Sequence, residues 1–155
     1  MAESGLLEDL YREIIHDPYR QPRNRNAAIT PTCSADGANP LCGDEVRIEV
    51  ALDGDVIREI SFGGQGCSIS QASTSMMTEY VKGRTAAEAL RGVDAFQQMM
   101  LTGEVPEIEG FDDIASLVGV AKFAARVKCA SLAWKTLAQA LAEGGGTMTT
   151  DDGSR

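Results

Sequence analysis

The chain has 155 residues, 43% of them hydrophobic, enough for one compact core and hardly for two. Its 23 acidic residues against 14 basic ones leave a formal net charge of −9, which excludes an ordinary nucleic-acid binder, because phosphate recognition needs clustered Lys and Arg. No apolar run is long enough to span a bilayer, and the opening MAESGLLEDLYREII is acidic and amphipathic rather than basic and then apolar, so the expectation is a cytoplasmic protein without membrane partners.

In chain order, Leu6, Leu7, Leu10, Ile14 and Ile15 recur at helical spacing behind Ser4, which predicts an amphipathic helix ended by Pro18. The following YRQPRNRNAAITPTCSADGANP is rich in Pro, Asn and Arg and reads as irregular and exposed. Val46, Ile48, Val50 and Leu52 alternate with polar residues, Asp53-Gly54 supplies a tight turn, and Ile60 and Phe62 close a second alternating run. Together these predict a β-hairpin. Gly63, Gly64 and Gly66 then lead to Cys67, placed at the end of the second strand or the start of a short third one.

Past Cys67 the apolar period changes toward four. Met76, Met77, Tyr80 and Val81 mark a helix that Gly83 can cap, and the four methionines at 76, 77, 99 and 100 read as core. Thr85 and Glu88 form a capping-box pattern opening a helix to about Leu101. After the loop TGEVPEIEGFDD, a helical stretch from Ile114 leads to a terminal helix bearing Val127, Leu132, Trp134, Leu137 and Leu141. The sum is an α+β fold, a small antiparallel sheet followed by helices, in a single domain over residues 1–143 with a disordered tail over 144–155.

The chemistry concentrates in cysteines 33, 42, 67 and 129. Cys42 lies in NPLCGD, Cys67 in GGQGCSIS and Cys129 near the start of the last helix, and the glycines at 43 and 66 suggest backbone that approaches something closely or leaves room for it. An even count allows two disulfides, which a reducing compartment disfavours, and free cysteines are often plain core residues. Cys33, without flanking glycines, reads as an unliganded thiol. For the other three the spacing alone is a weak metal signal that the local contexts strengthen.

NPLCGD, GGQGCSIS and RVKCASLAW resemble the three cysteine motifs of the IscU-like scaffold proteins, the family that includes NifU N-terminal domains, and YRQPRN resembles its Pro-Arg-Asn motif. The likeness runs from about Leu6 to Leu141. It implies a three-stranded antiparallel sheet packed by helices, with Cys42, Asp44, Cys67 and Cys129 as metal ligands. A histidine that precedes the third cysteine in IscU proper is Lys128 here, whose ammonium has no lone pair to offer a metal. The separation of 62 residues between Cys67 and Cys129 is also longer than the IscU arrangement.

Both departures are similar to the SufU branch, which implies Zn²⁺ as cofactor and a role as sulfur acceptor for a PLP-dependent, SufS-type cysteine desulfurase. The resemblance further implies that a partner histidine displaces the Cys42 thiolate, which then takes the persulfide sulfur; a downstream cluster scaffold complex is a further candidate partner, and the sequence leaves open whether the sulfur passes to it. Arg126 and Lys128 are expected to offset the negative charge of three thiolates and a carboxylate. The competing function is a scaffold holding iron or a [2Fe-2S] cluster on the same residues. His16 falls outside the family's histidine position, occupied here by Pro18, and receives no role.

Overall fold

The computed structural model describes residues 23–40, 43–143 and 147–149. The expected N-terminal helix, His16 and Cys42 lie outside them. Along the chain come β1 (Cys33–Asn39), β2 (Asp44–Asp53), β3 (Val56–Gln65), α1 (Ser68–Val81), α2 (Ala86–Thr102), the short α3 (Asp112–Ala115), a 3₁₀ helix (Ser116–Lys122), α4 (Ala124–Glu143) and β4 (Thr147–Thr149). The sheet order is β3-β2-β1-β4. Three consecutive strands pair antiparallel, the expected α+β arrangement, and β4 adds a parallel edge to β1.

The predicted hairpin is β2–β3. Its inward faces carry Val46, Ile48, Val50, Ile60 and Phe62, all buried, and the turn falls at Gly54-Asp55 with Gly54 at φ +66°. Two expectations need correction. The stretch CSADGAN, read as irregular, is β1, and residues 147–149 of the tail read as disordered form β4. β1 escapes a propensity reading because its inward positions are small. Cys33, Ala35 and Asn39 are buried while Ser34 and Asp36 face outward, so the alternation is present but is written in residues that are poor β-formers. β4 forms because the outer ladder of β1 is otherwise an open row of donors and acceptors.

The reason for small residues is α4, which packs across β1 and β2. A Cβ on Gly37 would run into the hydroxyl of buried Thr136 and approach Leu132 Cδ1 to 3.2 Å. Gly37→Ala should therefore destabilise the fold by about 1–3 kcal/mol through overpacking. Urea unfolding checks this, and Thr136→Ala in the same chain should recover part of the loss, because the two sites are in contact.

Helix boundaries follow local chemistry. α1 ends before Gly83 at φ +89°, and α2 opens on the full capping box, with Thr85 Oγ1 accepting from Glu88 N–H at 3.1 Å and Glu88 Oε1 accepting from Thr85 N–H at 2.9 Å. Phe123, extended at φ −120° and ψ 93°, separates the 3₁₀ helix from α4. The core between the helices is aromatic. Phe96 stacks on Trp134 at 4.6 Å between centroids, and Phe111 meets Tyr80 edge-on at 5.0 Å. The fully buried Trp134 indole donates to Ser73 Oγ at 3.0 Å, and that hydroxyl donates to Ala130 O at 2.7 Å, so α1 and α4 are joined without an orphaned donor. Met76, Met77, Met99 and Met100 are all buried core, as expected. No helix among the described residues is long and apolar enough to cross a membrane.

Candidate metal centre

Three elements that are distant in sequence meet at one end of the sheet. Asp44 is the first residue of β2, Cys67 is the N-cap of α1, and Cys129 lies in the second turn of α4. One ligand atom from each, a carboxylate oxygen and two Sγ, lies within 4.8 Å of the others. Cys33 is buried in the core under β1 with its thiol pushed up by burial, an inert position away from this cluster. Cys33, Cys67 and Cys129 are free thiols, so no disulfide forms among the described cysteines.

Asp44 is only 1% exposed, the one buried carboxylate among the described residues. An ionised carboxylate there needs compensation. Its Oδ1 accepts the Cys67 N–H at 3.0 Å, while Oδ2 lies 4.0 Å from Cys67 Sγ. One oxygen is thus engaged with backbone and the other faces the sulfurs. The approach depends on Gly66, because a Cβ there would sit 2.8 Å from Asp44 Oδ1 and 3.1 Å from Ser70 Oγ. Gly66 leaves room, as its context suggested. Gly43 acts differently, since among the described residues no atom beyond its chain neighbours lies within 4 Å of its would-be Cβ and its need is the left-handed φ of +74°.

Cys67 is an unexpected N-cap. Its Sγ accepts the Ser70 N–H at 3.4 Å, and Gln71 N–H donates to its carbonyl at 3.0 Å, closing the first turn of α1. A sulfur at a helix N-terminus sits in a field that favours the thiolate. The thiol is lowered to about 6, chiefly by S–H donation from Cys129, then by the Ser70 amide and the Arg126 charge, against burial and the nearby Asp44 carboxylate. Cys129 Sγ is also 3.7 Å from Ala125 O within its own helix.

Arg126 and Lys128 are half-buried near the start of α4. A helix N-terminus disfavours cations by roughly 0.3–1 kcal/mol each, so this placement fits a local excess of negative charge, and Arg126 does favour the Cys67 thiolate. In the metal-free protein, alkylation of Cys67 should therefore stay fast at neutral pH and fall to half only near pH 6, since protonation on the acid side removes the thiolate. Peptide mapping after timed iodoacetamide exposure reads this directly, and an ordinary thiol would instead slow below about pH 8.5.

The predicted ligands Asp44, Cys67 and Cys129 are thus brought together, and the fourth, Cys42, lies outside the described residues in the 40–43 connection between β1 and β2. The sequence reading assigned nothing to Ser70, Arg25 or Gln71, whose contacts with the Cys67 segment depend on packing. Arg25, within the expected irregular stretch, donates from Nη2 to Gly64 O at 2.7 Å and from Nη1 to Gln71 Oε1.

A family model described as the NifU-like N terminal domain matches residues 10–130. The zinc-dependent sulfurtransferase SufU of Bacillus subtilis is 43% identical over 147 residues, covering 94% of this chain and 99% of that protein. The iron-sulfur cluster assembly scaffold protein IscU of Streptococcus pyogenes is 38% identical over 135 residues, covering 87% and 84%. Among solved structures, FiSufU, a candidate cluster assembly scaffold protein for the SUF system of Fervidobacterium islandicum, superposes with a TM-score of 0.77 at 37% identity, covering 86% of this chain and 98% of that one. A NifU-like N-terminal protein of Brucella abortus has a TM-score of 0.80 at 24% identity, covering 88% and 94%, a likeness of fold. With the match spanning most of the chain and its three described cluster residues standing in the three motifs, this protein belongs to the NifU-like N-terminal domain family of iron-sulfur cluster assembly proteins.

Proposed function

We propose that the chain is a zinc-dependent sulfur acceptor that takes persulfide sulfur from a partner cysteine desulfurase for iron-sulfur cluster assembly. The observation that carries this reading is the convergence of Asp44, Cys67 and Cys129 on one point, beside the connection that bears Cys42. The donors suit zinc. Zn–S bonds of about 2.3 Å and Zn–O bonds of about 2.0–2.2 Å place tetrahedral ligand atoms roughly 3.5–3.8 Å apart, a modest closing from the observed ceiling of 4.8 Å. Two residues of chain reach at most about 7 Å, so Cys42 is tethered close enough to Asp44 to complete a four-ligand set.

Bound zinc would hold the thiols as thiolates at neutral pH, sparing the site a general base. Cys67 and Asp44 are fixed to each other through the Cys67 amide, and Cys129 is fixed in α4. Cys42, in the connection between β1 and β2, is the sulfur assigned to chemistry. Its thiolate attacks the outer sulfur of the desulfurase persulfide, the S–S bond breaks, and the enzyme's cysteine leaves as thiolate while Cys42 becomes the persulfide. Arg126 and Lys128 offset the negative charge that accumulates.

A desulfurase of the SufS type, with PLP, is the partner of this reading, and a downstream cluster scaffold its acceptor. The same residues in a scaffold would hold a [2Fe-2S] cluster, the reading favoured by the likeness to IscU proteins. Metal analysis with desulfurase turnover separates the two. Stoichiometric zinc in a colourless protein that accelerates alanine release supports sulfur acceptance, whereas stable cluster assembly without acceleration would overturn it.

A further inference from the structure

The two flanks of the segment that carries Cys67 are bridged by one side chain, Arg25. We propose that Arg25 is a positioning residue that sets the place of the Cys67 sulfur by clamping the end of β3 to the first turn of α1. Its guanidinium donates to Gly64 O, three residues before Cys67, and to Gln71 Oε1, four residues after it. These are the two flanks of the turn from strand to helix. The Arg25 backbone is fixed in its turn: Phe62 N–H donates to Asn24 O at 3.0 Å, Asn26 N–H donates to Phe62 O at 2.7 Å, and the guanidinium carbon lies 5.6 Å from the Phe62 ring centroid.

The clamp acts where the backbone is least constrained by its own sequence. Gly64 stands at φ +112°, Gly66 carries no side chain, and Cys67 is not within a regular element. With three glycines over residues 63–66, the angle between β3 and α1 needs an external restraint. Gln71 is only 7% exposed, so its carbonyl oxygen is a firm anchor. A planar guanidinium spans two acceptors at once, and an ammonium cannot do so in the same geometry. Arg25 therefore acts on the ligand sulfur through the backbone on either side of it, as outer partners act on metal ligands generally.

This inference rests on the zinc reading of the site, and the test separates the two. Zinc release to a metallochromic chelator is timed for the as-isolated full chain, for Arg25→Met, Arg25→Lys and Gln71→Leu, and for Arg47→Met as a control that removes surface ion pairs from the same sheet. The visible d–d spectrum of each Co²⁺-substituted protein is recorded beside it. Arg25→Met should release zinc about tenfold faster or more and shift the Co²⁺ bands, Arg25→Lys should recover part of both, and Arg47→Met should match the parent. Should Arg25→Met not fold, Gln71→Leu decides by the same criteria. Release and spectra identical to the parent would overturn the clamp while leaving the zinc reading intact, and a parent chain that holds no stoichiometric zinc would overturn both.

Discussion

Cys42→Ala should return alanine release by the partner desulfurase to the rate of the desulfurase alone, with sulfur transfer to this chain reduced about 10²-fold or more. The expectation follows from the division of labour in the cluster. Asp44 and Cys67 are tied to each other by a backbone hydrogen bond, and Cys129 is built into a helix whose neighbours Ala130 and Trp134 are fully buried. Moving any of the three disturbs the fold. Cys42, in the connection between β1 and β2, is the remaining sulfur and the one assigned to the transfer step. Mass analysis after incubation with desulfurase and cysteine should show a +32 Da adduct on Cys42 in the parent and on no other cysteine in the variant. Cys33→Ser serves as the control, since that thiol is buried and raised by burial and should be dispensable. Normal sulfur acceptance in the Cys42 variant would refute the assignment.

Asp44→Ala should cost more than a ligand. The carboxylate is buried and also accepts the Cys67 amide, so the alanine orphans a buried donor, worth about 1–3 kcal/mol, in addition to weakening metal binding. Asp44→Asn separates the two effects. Its amide oxygen can still accept from Cys67 N–H, so the metal-free chain should melt close to the parent, but the neutral ligand should hold zinc about 10²-fold more weakly, or worse. Competition with a chelator and melting curves with and without zinc read the two quantities. Equal zinc affinity in the asparagine variant would remove Asp44 from the ligand set. A parent-like melting temperature for metal-free Asp44→Ala would show that the amide finds another partner.

Several features were legible because they are local. The Thr85–Glu88 capping box needs only four residues of context and opens α2 where expected. The β2–β3 hairpin shows in the alternation of Val46, Ile48 and Val50 and in Asp53-Gly54, since a period of two and a turn glycine are properties of neighbours in sequence. β1 was not legible. Its inward residues are small because α4 lies against them, and no residue within CSADGAN carries that information. The N-cap role of Cys67 escaped for a similar reason, as a sulfur cap has none of the Ser, Thr, Asp or Asn signature by which helix starts are recognised.

By itself the amino-acid sequence determined the chemical inventory: which side chains can bind a soft divalent cation, which cannot, and the glycines that let backbone bend beside them. Lys128, one bond from Cys129 along the chain, was excluded as a ligand on its protonation alone. Only the tertiary structure decided that Asp44, Cys67 and Cys129, separated by 23 and 62 residues, share one small volume, and that Arg25 reaches both flanks of the central cysteine. The physical reason is that ligand identity belongs to each residue separately. Convergence arises from the packing of α1 and α4 against the sheet, a collective outcome of burying apolar surface that no single motif encodes.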